Sequence, residues 1–330
     1  MAEVISTLKR LRESLPLIGQ PYRKVRRLRE QMQELNAANA ALTESLNSVV
    51  QQRDNLVQQR DNLVAQQARL LEQVSSRDAL FFENAQTEST HRRFIEFLKL
   101  IRPLDIAGLP KARVGAWHDG GYVMIDDFAQ TTNAISIGIG TEISWDRDLA
   151  CRGIRVVQVE EAGGSPCASE PRFTFMNKRV VKTARCEHEI TLTQLLNLPE
   201  VCGDNELLMK IDIEGDEWEV LEEVCEADLK RIRQLVIEFH WLQNFARLDW
   251  ADRALTVLRK LAHAHQVVHV HGNNSAGFAV LGGIAFPNVF ELTLVRRDEH
   301  CFADSGPQWP TALDAPNKPS TTDLYIGAIW

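Results

Sequence analysis

Between Tyr22 and Arg102 the chain contains neither proline nor glycine, and Leu28, Leu35, Leu42, Val49, Leu56, Leu63 and Leu70 recur at every seventh residue. Such a period holds an apolar stripe on one side of an α-helix and turns it toward another helix, which predicts a coiled coil over residues 25–85. The heptad QQRDNLV occurs twice in succession, at Gln51–Val57 and Gln58–Val64. Four residues after each stripe position lie Met32, Asn39, Leu46, Arg53, Arg60, Gln67 and Val74. The polar members weaken the seam while narrowing its register and oligomer state. So long a stripe is hard to cover within one chain, so the predicted role is homo-oligomerisation; the alternative is a helix folded back on its own domain.

Residues 1–24 precede the coil. Lys9, Arg10, Arg12, Arg23, Lys24, Arg26, Arg27 and Arg29 are interleaved with Leu8, Leu11, Leu15, Leu17 and Ile18. A basic amphipathic segment of this kind can rest on an anionic membrane surface; the other reading is a solvated charged face broken at Pro16, Gly19 and Pro21. The first thirty residues hold eight Lys or Arg against three Glu, so the rest carries −13 against −8 for the whole chain. No basic surface is evident in the presumed catalytic part, and a phosphate backbone needs many cations, which argues against nucleic acid as the main substrate. Cys151, Cys167, Cys186, Cys202, Cys225 and Cys301 show no CxxC spacing and read as reduced thiols of a cytoplasmic protein. Leu15 to Gly19 is too short for the apolar core of a signal peptide, and no run approaches a membrane span. The expected location is therefore the cytoplasm, at the inner face of the membrane on the first reading of the basic terminus and free of it on the second.

From Ala134 onward the pattern changes. Ala134–Ile139, Arg155–Glu160, Leu207–Ile213, Gln234–His240, Gln266–His271 and Phe290–Val295 read as strands. Leu192–Leu198, Trp218–Asp228 and Asp252–His265 read as helices between them. This alternation predicts an α/β fold with a doubly wound, mostly parallel sheet, preceded by the long helix. The stretch Ala303–Asp323 is rich in Pro, Ser, Thr and Asp and is expected to be irregular, with Leu324–Trp330 returning as a short strand.

Within that pattern, KIDIEGDEWEVL at Lys210–Leu221 turns an apolar strand into five carboxylates around Gly215. Asp212 and Glu214 alternate onto one side of the strand's carboxyl end, where open α/β sheets bind ligands. Asp216, Glu217 and Glu219 fit the positive end of a helix dipole. Asp212 needs a partner or a ligand, because it interrupts an apolar strand. Gly138 and Gly140 follow the first strand, and Glu160 ends the next, about where an acid accepts the hydroxyls of a ribose. A tight turn with a surface acid is the other reading of that pair. Three more strand ends carry polar residues two apart: Asp212 with Glu214, Glu238 with His240, and His269 with His271, the last followed by Gly272, Asn273 and Asn274. They are expected to share one pocket that either deprotonates a hydroxyl or holds a divalent Mn, Fe or Zn ion, although their spacing matches no standard metal signature.

Over roughly Arg113 to Val295 these residues resemble the FkbM-type methyltransferases, a branch of the class I enzymes that use S-adenosylmethionine. The resemblance rests on KIDIEG at Lys210–Gly215, DGGYVM at Asp119–Met124, SIGIGTEISWD at Ser136–Asp146, and the EFHW and HVHGNN blocks. It departs from the commoner family pattern at the glycine loop and at Glu160, where Asp is more frequent. It implies a Rossmann-like methyltransferase domain over residues 86–330, Gly138 and Gly140 against the methionine part of the cofactor, Glu160 on its ribose, and Asp212 beside the methyl group. The expected reaction is O-methylation of a sugar, glycan or similar small hydroxylated acceptor. His240 or His271 would act as base, oriented by Asp212 or Glu238. A metal-dependent hydrolase using the same cluster, and a non-catalytic scaffold built on the coil, are the rival readings.

Overall fold

The computed structural model describes residues 2–14, 16–75, 80–81, 87–161, 169–304 and 308–327, and the side chains of 2–3, 12–20, 22, 60–86 and 299 lie outside that description. Leu15, Cys167 and residues 328–330 therefore stay outside it, as do the side chains of Arg12, Leu17, Ile18, Arg60, Leu63, Gln67, Leu70 and Val74. The chain forms two compact units, Met1–Gln66 and Gln67–Trp330.

Two helices, α1 (Ala2–Ser14) and α2 (Pro16–Ser75), begin the chain. Of the three positions at which one reading broke this segment, Pro16 begins α2, and Gly19 and Pro21 lie inside it. From residue 22 onward α2 runs through the proline-free heptads as far as Ser75, and along it Leu28, Leu35, Leu42, Val49 and Leu56 are exposed. No helix among the described residues is long and apolar enough to cross a membrane.

The rest is a seven-stranded sheet with helices on both faces. Its strands are β1 (Asn133–Ile137), β2 (Arg155–Glu160), β3 (Phe173–Asn177), β4 (Leu207–Ile211), β5 (Ile232–Phe239), β6 (His265–Gly272) and β7 (Phe290–Arg296). They lie in the order 3-2-1-4-5-7-6, with β7 antiparallel to its neighbours β5 and β6. Strand order reverses between β1 and β4, the position where doubly wound sheets open a crevice. Alternate residues feed two cores. Ile135, Ile137, Val157, Val159, Met209, Ile211, Leu235 and Ile237 belong to one core, to which α3 (Glu88–Leu100) and the α8 helix (Leu248–Ala264) also contribute. Ala134, Val156, Leu208 and Val236 face Trp145 and Leu149 of α4 (Ser144–Cys151) and Tyr122 and Met124 of a short hairpin. Burial on both faces is why these strands read as nearly continuous apolar runs.

Edge elements were hardest to foresee. The half-exposed β3 and the hairpin of Lys111–Val114 with Tyr122–Ile125 escape the strand pattern because neither alternates cleanly. The expected helix over Trp218–Asp228 is two pieces, α6 (Glu217–Glu223) and α7 (Glu226–Leu229), parted where Val224 turns extended. Between them in sequence order and the earlier strands sits α5 (Leu192–Leu196), started by a Thr191–Gln194 capping box. In the described part of the expected last strand, residues 324–327, there is one bridge, between Trp309 and Gly327. The five described cysteines are free and exposed.

Register places the chemistry. Ile137 of β1 pairs with Val159 of β2 and with Ile211 of β4, which in turn pairs with Ile237 of β5. Glu238 stands opposite Glu291 of β7, and Glu291 opposite His271 of β6. Glu160, Gly138, Asp212, Glu238, Glu291 and His271 thus follow one another across the sheet at one height.

Candidate functional site

A cleft of about 630 Å³ opens at the carboxyl ends of β1, β2 and β4, lined by Gly138, Gly140, Glu142, Glu160, Lys178 and Asp212 among others. Its size suits a small organic ligand. Gly138 has φ +74°, and a Cβ there would lie 1.6 Å from the Asp212 carbonyl oxygen. Only a glycine lets β1 and β4 approach this closely. Gly138 donates its N–H to Val159 and Asp212 donates its own to Ile137, which ties the three strand ends together. Glu160 accepts the N–H of Gly140 on one oxygen and that of Glu161 on the other, both at 2.9 Å. The acid is held by the backbone and turned toward the glycine loop.

Beneath this floor sits a buried cation. Lys210 donates to the Gly138 carbonyl at 3.1 Å and stands 3.4 Å from Asp212 Oδ2. Burial works against its charge, yet Asp212 and Asp146 hold its pKa above the ordinary lysine value. Asp146 accepts from Ser136 and Gln158, and burial raises its own pKa. Burial also raises Asp212, with Lys210 and His240 opposing. Lys210 was legible as a lysine inside an apolar strand, whereas Asp146 gave no signal of its own.

Beside Asp212, the side chains of Glu238 and His240 each bring a ligand-type atom within 4.8 Å of the others. Glu238 accepts from Asn273 Nδ2 at 2.6 Å, and burial followed by the charges of Asp212 and Glu291 pushes its pKa well above the ordinary glutamate range. His240 shares Nδ1 with Glu217 at 3.0 Å. Burial opposes its charge, but that bond raises its pKa overall. Glu217 is fully buried and also accepts the N–H groups of Ile213 and Gly215. The dipole reading of Glu217 therefore misses its work, which is to fix the Ile213–Gly215 turn and the imidazole together. Glu214 has φ +55° and an 84% exposed side chain, with Oε2 3.5 Å from His240 Nε2. Gly215 is required beside it, because the Trp241 indole lies 2.4 Å from where a Cβ would stand.

The third expected pair does not join this group. His269 bonds Asp314 at 2.7 Å, with burial lowering the histidine and the pair holding Asp314 well below the carboxylate range. His271 lies between Glu291 at 3.2 Å and Asp323 at 3.0 Å, buried, so neither ring nitrogen is left for a substrate. Burial opposes its charge, yet those carboxylates raise its pKa well above the ordinary value. An imidazolium clamped between two acids is a poor base. The single pocket read from three strand ends is thus two separate arrangements, and His269 and His271 anchor residues 308–327. Asn317 adds a bond to Glu291, and Asn274 bonds the backbone of Lys318 and Thr321.

No protein-family model matches the chain. No curated protein matches it in sequence. Solved structures do show a likeness. The fibrillarin/Nop5p complex aligns at 9% identity over 50% of this chain and 73% of that one, with a TM-score of 0.32. A TehB-like SAM-dependent methyltransferase from Corynebacterium glutamicum aligns at 9% over 50% and 80%, with 0.29. A point mutant of the 16S rRNA (adenine(1408)-N(1))-methyltransferase from Catenulisporales acidiphilia aligns at 13% over 57% and 98%, also with 0.29. Values of this size leave the function to the geometry of the site.

Proposed function

We propose that the 264-residue unit from Gln67 is an S-adenosylmethionine-dependent O-methyltransferase of the FkbM type, acting on a hydroxyl of a sugar, glycan or similar small acceptor. The observation that carries this reading is the convergence in one cleft of the Gly138–Gly140 turn, the backbone-held Glu160 and Asp212 at the strand-order reversal. The residues fit the cofactor. Gly138 and Gly140 clear the space that side chains would fill, Glu160 keeps free lone pairs for ribose hydroxyls, and the acids suit a sulfonium. When bound, the cofactor supplies an electrophilic methyl group on a sulfonium.

Methyl transfer from it would form a C–O bond as the C–S bond breaks, and would release one proton from the acceptor hydroxyl. This chain's part is alignment and proton uptake. Asp212 stands at the cleft floor, oriented by Lys210, and the acceptor's proton passes into the Asp212, Glu238 and His240 group beside it. Strong acid chemistry is unnecessary. Calorimetric titration with S-adenosylmethionine on the wild type and on Glu160→Ala tests the reading. Saturable binding weakened by about tenfold or more in the variant is expected, since a charged hydrogen-bond pair contributes about 1.5–3 kcal/mol. No binding by the wild type would refute methyl transfer, and equal binding by both would remove Glu160 from the ribose.

A second observation concerns α2. Leu28, Leu35, Leu42, Val49 and Leu56 are exposed on a heptad stripe, which supports pairing with further copies of this chain through a coiled coil. Light scattering should report an oligomer for the full chain and a monomer for Leu35→Asp/Leu42→Asp; a monomeric full chain would refute the pairing.

A further inference from the structure

We infer that Asp212, Glu238 and His240 form a site for one divalent transition-metal ion, of the Mn²⁺ class, beside the cleft. Three potential ligand atoms lie within 4.8 Å of one another. Small side-chain rotations would bring them to the roughly 2.1 Å that such ions require. Carboxylates alone would say little, since acids gather at strand ends for many reasons. The imidazole is the independent observation. Its side chain is 7% exposed, and Nε2 faces Glu214 at 3.5 Å and Glu238 at 4.0 Å, separations longer than a hydrogen bond.

The tautomer follows from the neighbours. Glu217 is locked by two backbone N–H groups, and its carboxylate accepts a hydrogen bond from Nδ1–H of His240. That leaves the lone pair of neutral His240 on Nε2, directed at the carboxylates. A carboxylate behind a histidine is how metal-binding imidazoles are oriented. The other two side chains have outer partners as well: Asn273 holds Glu238, and Lys210 holds Asp212. Two carboxylates and one imidazole suit Mn²⁺, Fe²⁺ or Zn²⁺ better than Mg²⁺ or Cu⁺. Three protein ligands leave positions open for an acceptor oxygen, and the exposed Glu214 carboxylate lies on the same side.

The site rests on these side chains alone. Its role rests on the methyl-transfer reading: an ion here would hold the acceptor hydroxyl and lower its pKa, so that its proton passes to the exposed Glu214 carboxylate or to water, in place of the three ligating side chains, before the C–O bond forms. His240 is then a ligand and not the base. The substrate class narrows accordingly to acceptors that can offer a metal-binding oxygen, such as a hydroxyl beside a second oxygen donor.

The test uses the full chain, stripped with a chelator and titrated with MnCl₂, with free Mn²⁺ counted by electron paramagnetic resonance. One saturable ion per chain is expected, weakened tenfold or more in Glu238→Gln and in Asp212→Asn. The outer variant Asn273→Ala should weaken binding about tenfold, as loss of an outer partner does. Melting curves without metal verify folding, and Glu238→Gln, which preserves shape, carries the test if Asp212→Asn fails to fold. Absence of saturable binding, or binding unchanged in both ligand variants, overturns the site. Sulfonium binding without ion binding rejects the metal and leaves methyl transfer standing; ion binding without sulfonium binding does the reverse and favours a metal-dependent hydrolase.

Discussion

Replacing Gly138 and Gly140 separately by alanine isolates one physical effect. Both glycines lie at positive φ, +74° and +50°, where an alanine costs about 1–2 kcal/mol of backbone strain. They differ in their surroundings. A Cβ on Gly140 meets nothing within 4 Å, whereas one on Gly138 lies 1.6 Å from the Asp212 carbonyl oxygen. To reach an ordinary contact the β1 and β4 ends must part by well over an ångström, and overpacking of that kind costs about 1–3 kcal/mol more. The gain from a stiffer unfolded chain is the same for both variants and cancels in their difference. Gly138→Ala should therefore be less stable than Gly140→Ala by about 1–3 kcal/mol, or roughly 2–12 °C in melting temperature for a unit of this size. Urea unfolding followed by circular dichroism measures the difference, and an unchanged m-value assigns it to the native state. Equal midpoints for the two variants would mean that the strands do not meet at Gly138, and the register that builds the cleft would be wrong.

Other expectations follow from buried charges. His265 is buried neutral, its pKa lowered to about 4 by burial. The unfolded chain binds that proton first, near pH 6.5, so stability present above this value is lost as pH falls, by about 3 kcal/mol at pH 4. Denaturation midpoints at pH 7 and pH 4 should differ less in His265→Gln, and an equal difference would refute the assignment. Lys210→Met leaves Asp212 and Asp146 without their cation. A loss of about 3–5 kcal/mol at pH 7, diminishing at acid pH as the carboxylates protonate, is expected in urea melts; a neutral effect would show that Lys210 is not the counter-ion. Asp314→Asn removes the charge that holds His269 and with it the anchor of residues 308–327. A loss of about 1.5–3 kcal/mol and faster proteolysis within 308–327 should follow, and unchanged cleavage would place the anchor elsewhere.

The candidate site was only partly legible. Asp212 stands out because an acid inside an apolar strand must be held by something, and the structure supplies Lys210. Gly138 and Glu160 stand out through their places after successive strands. Glu217 was concealed because an acid at a helix start has an ordinary explanation, and its bonds to Ile213, Gly215 and His240 depend on the turn folding back. His271 misled for a related reason. Its position at a strand end matches that of His240, but Asp323 comes from fifty-two residues farther along and closes over it.

Local periodicity therefore determined the long helix and the doubly wound sheet, because a seven-residue or two-residue apolar repeat can bury its stripe in few ways. The tertiary structure alone decided which polar residues face a ligand and which seal one another. That choice depends on strand register and on a distant irregular segment, and neither leaves a repeating trace in the residues themselves.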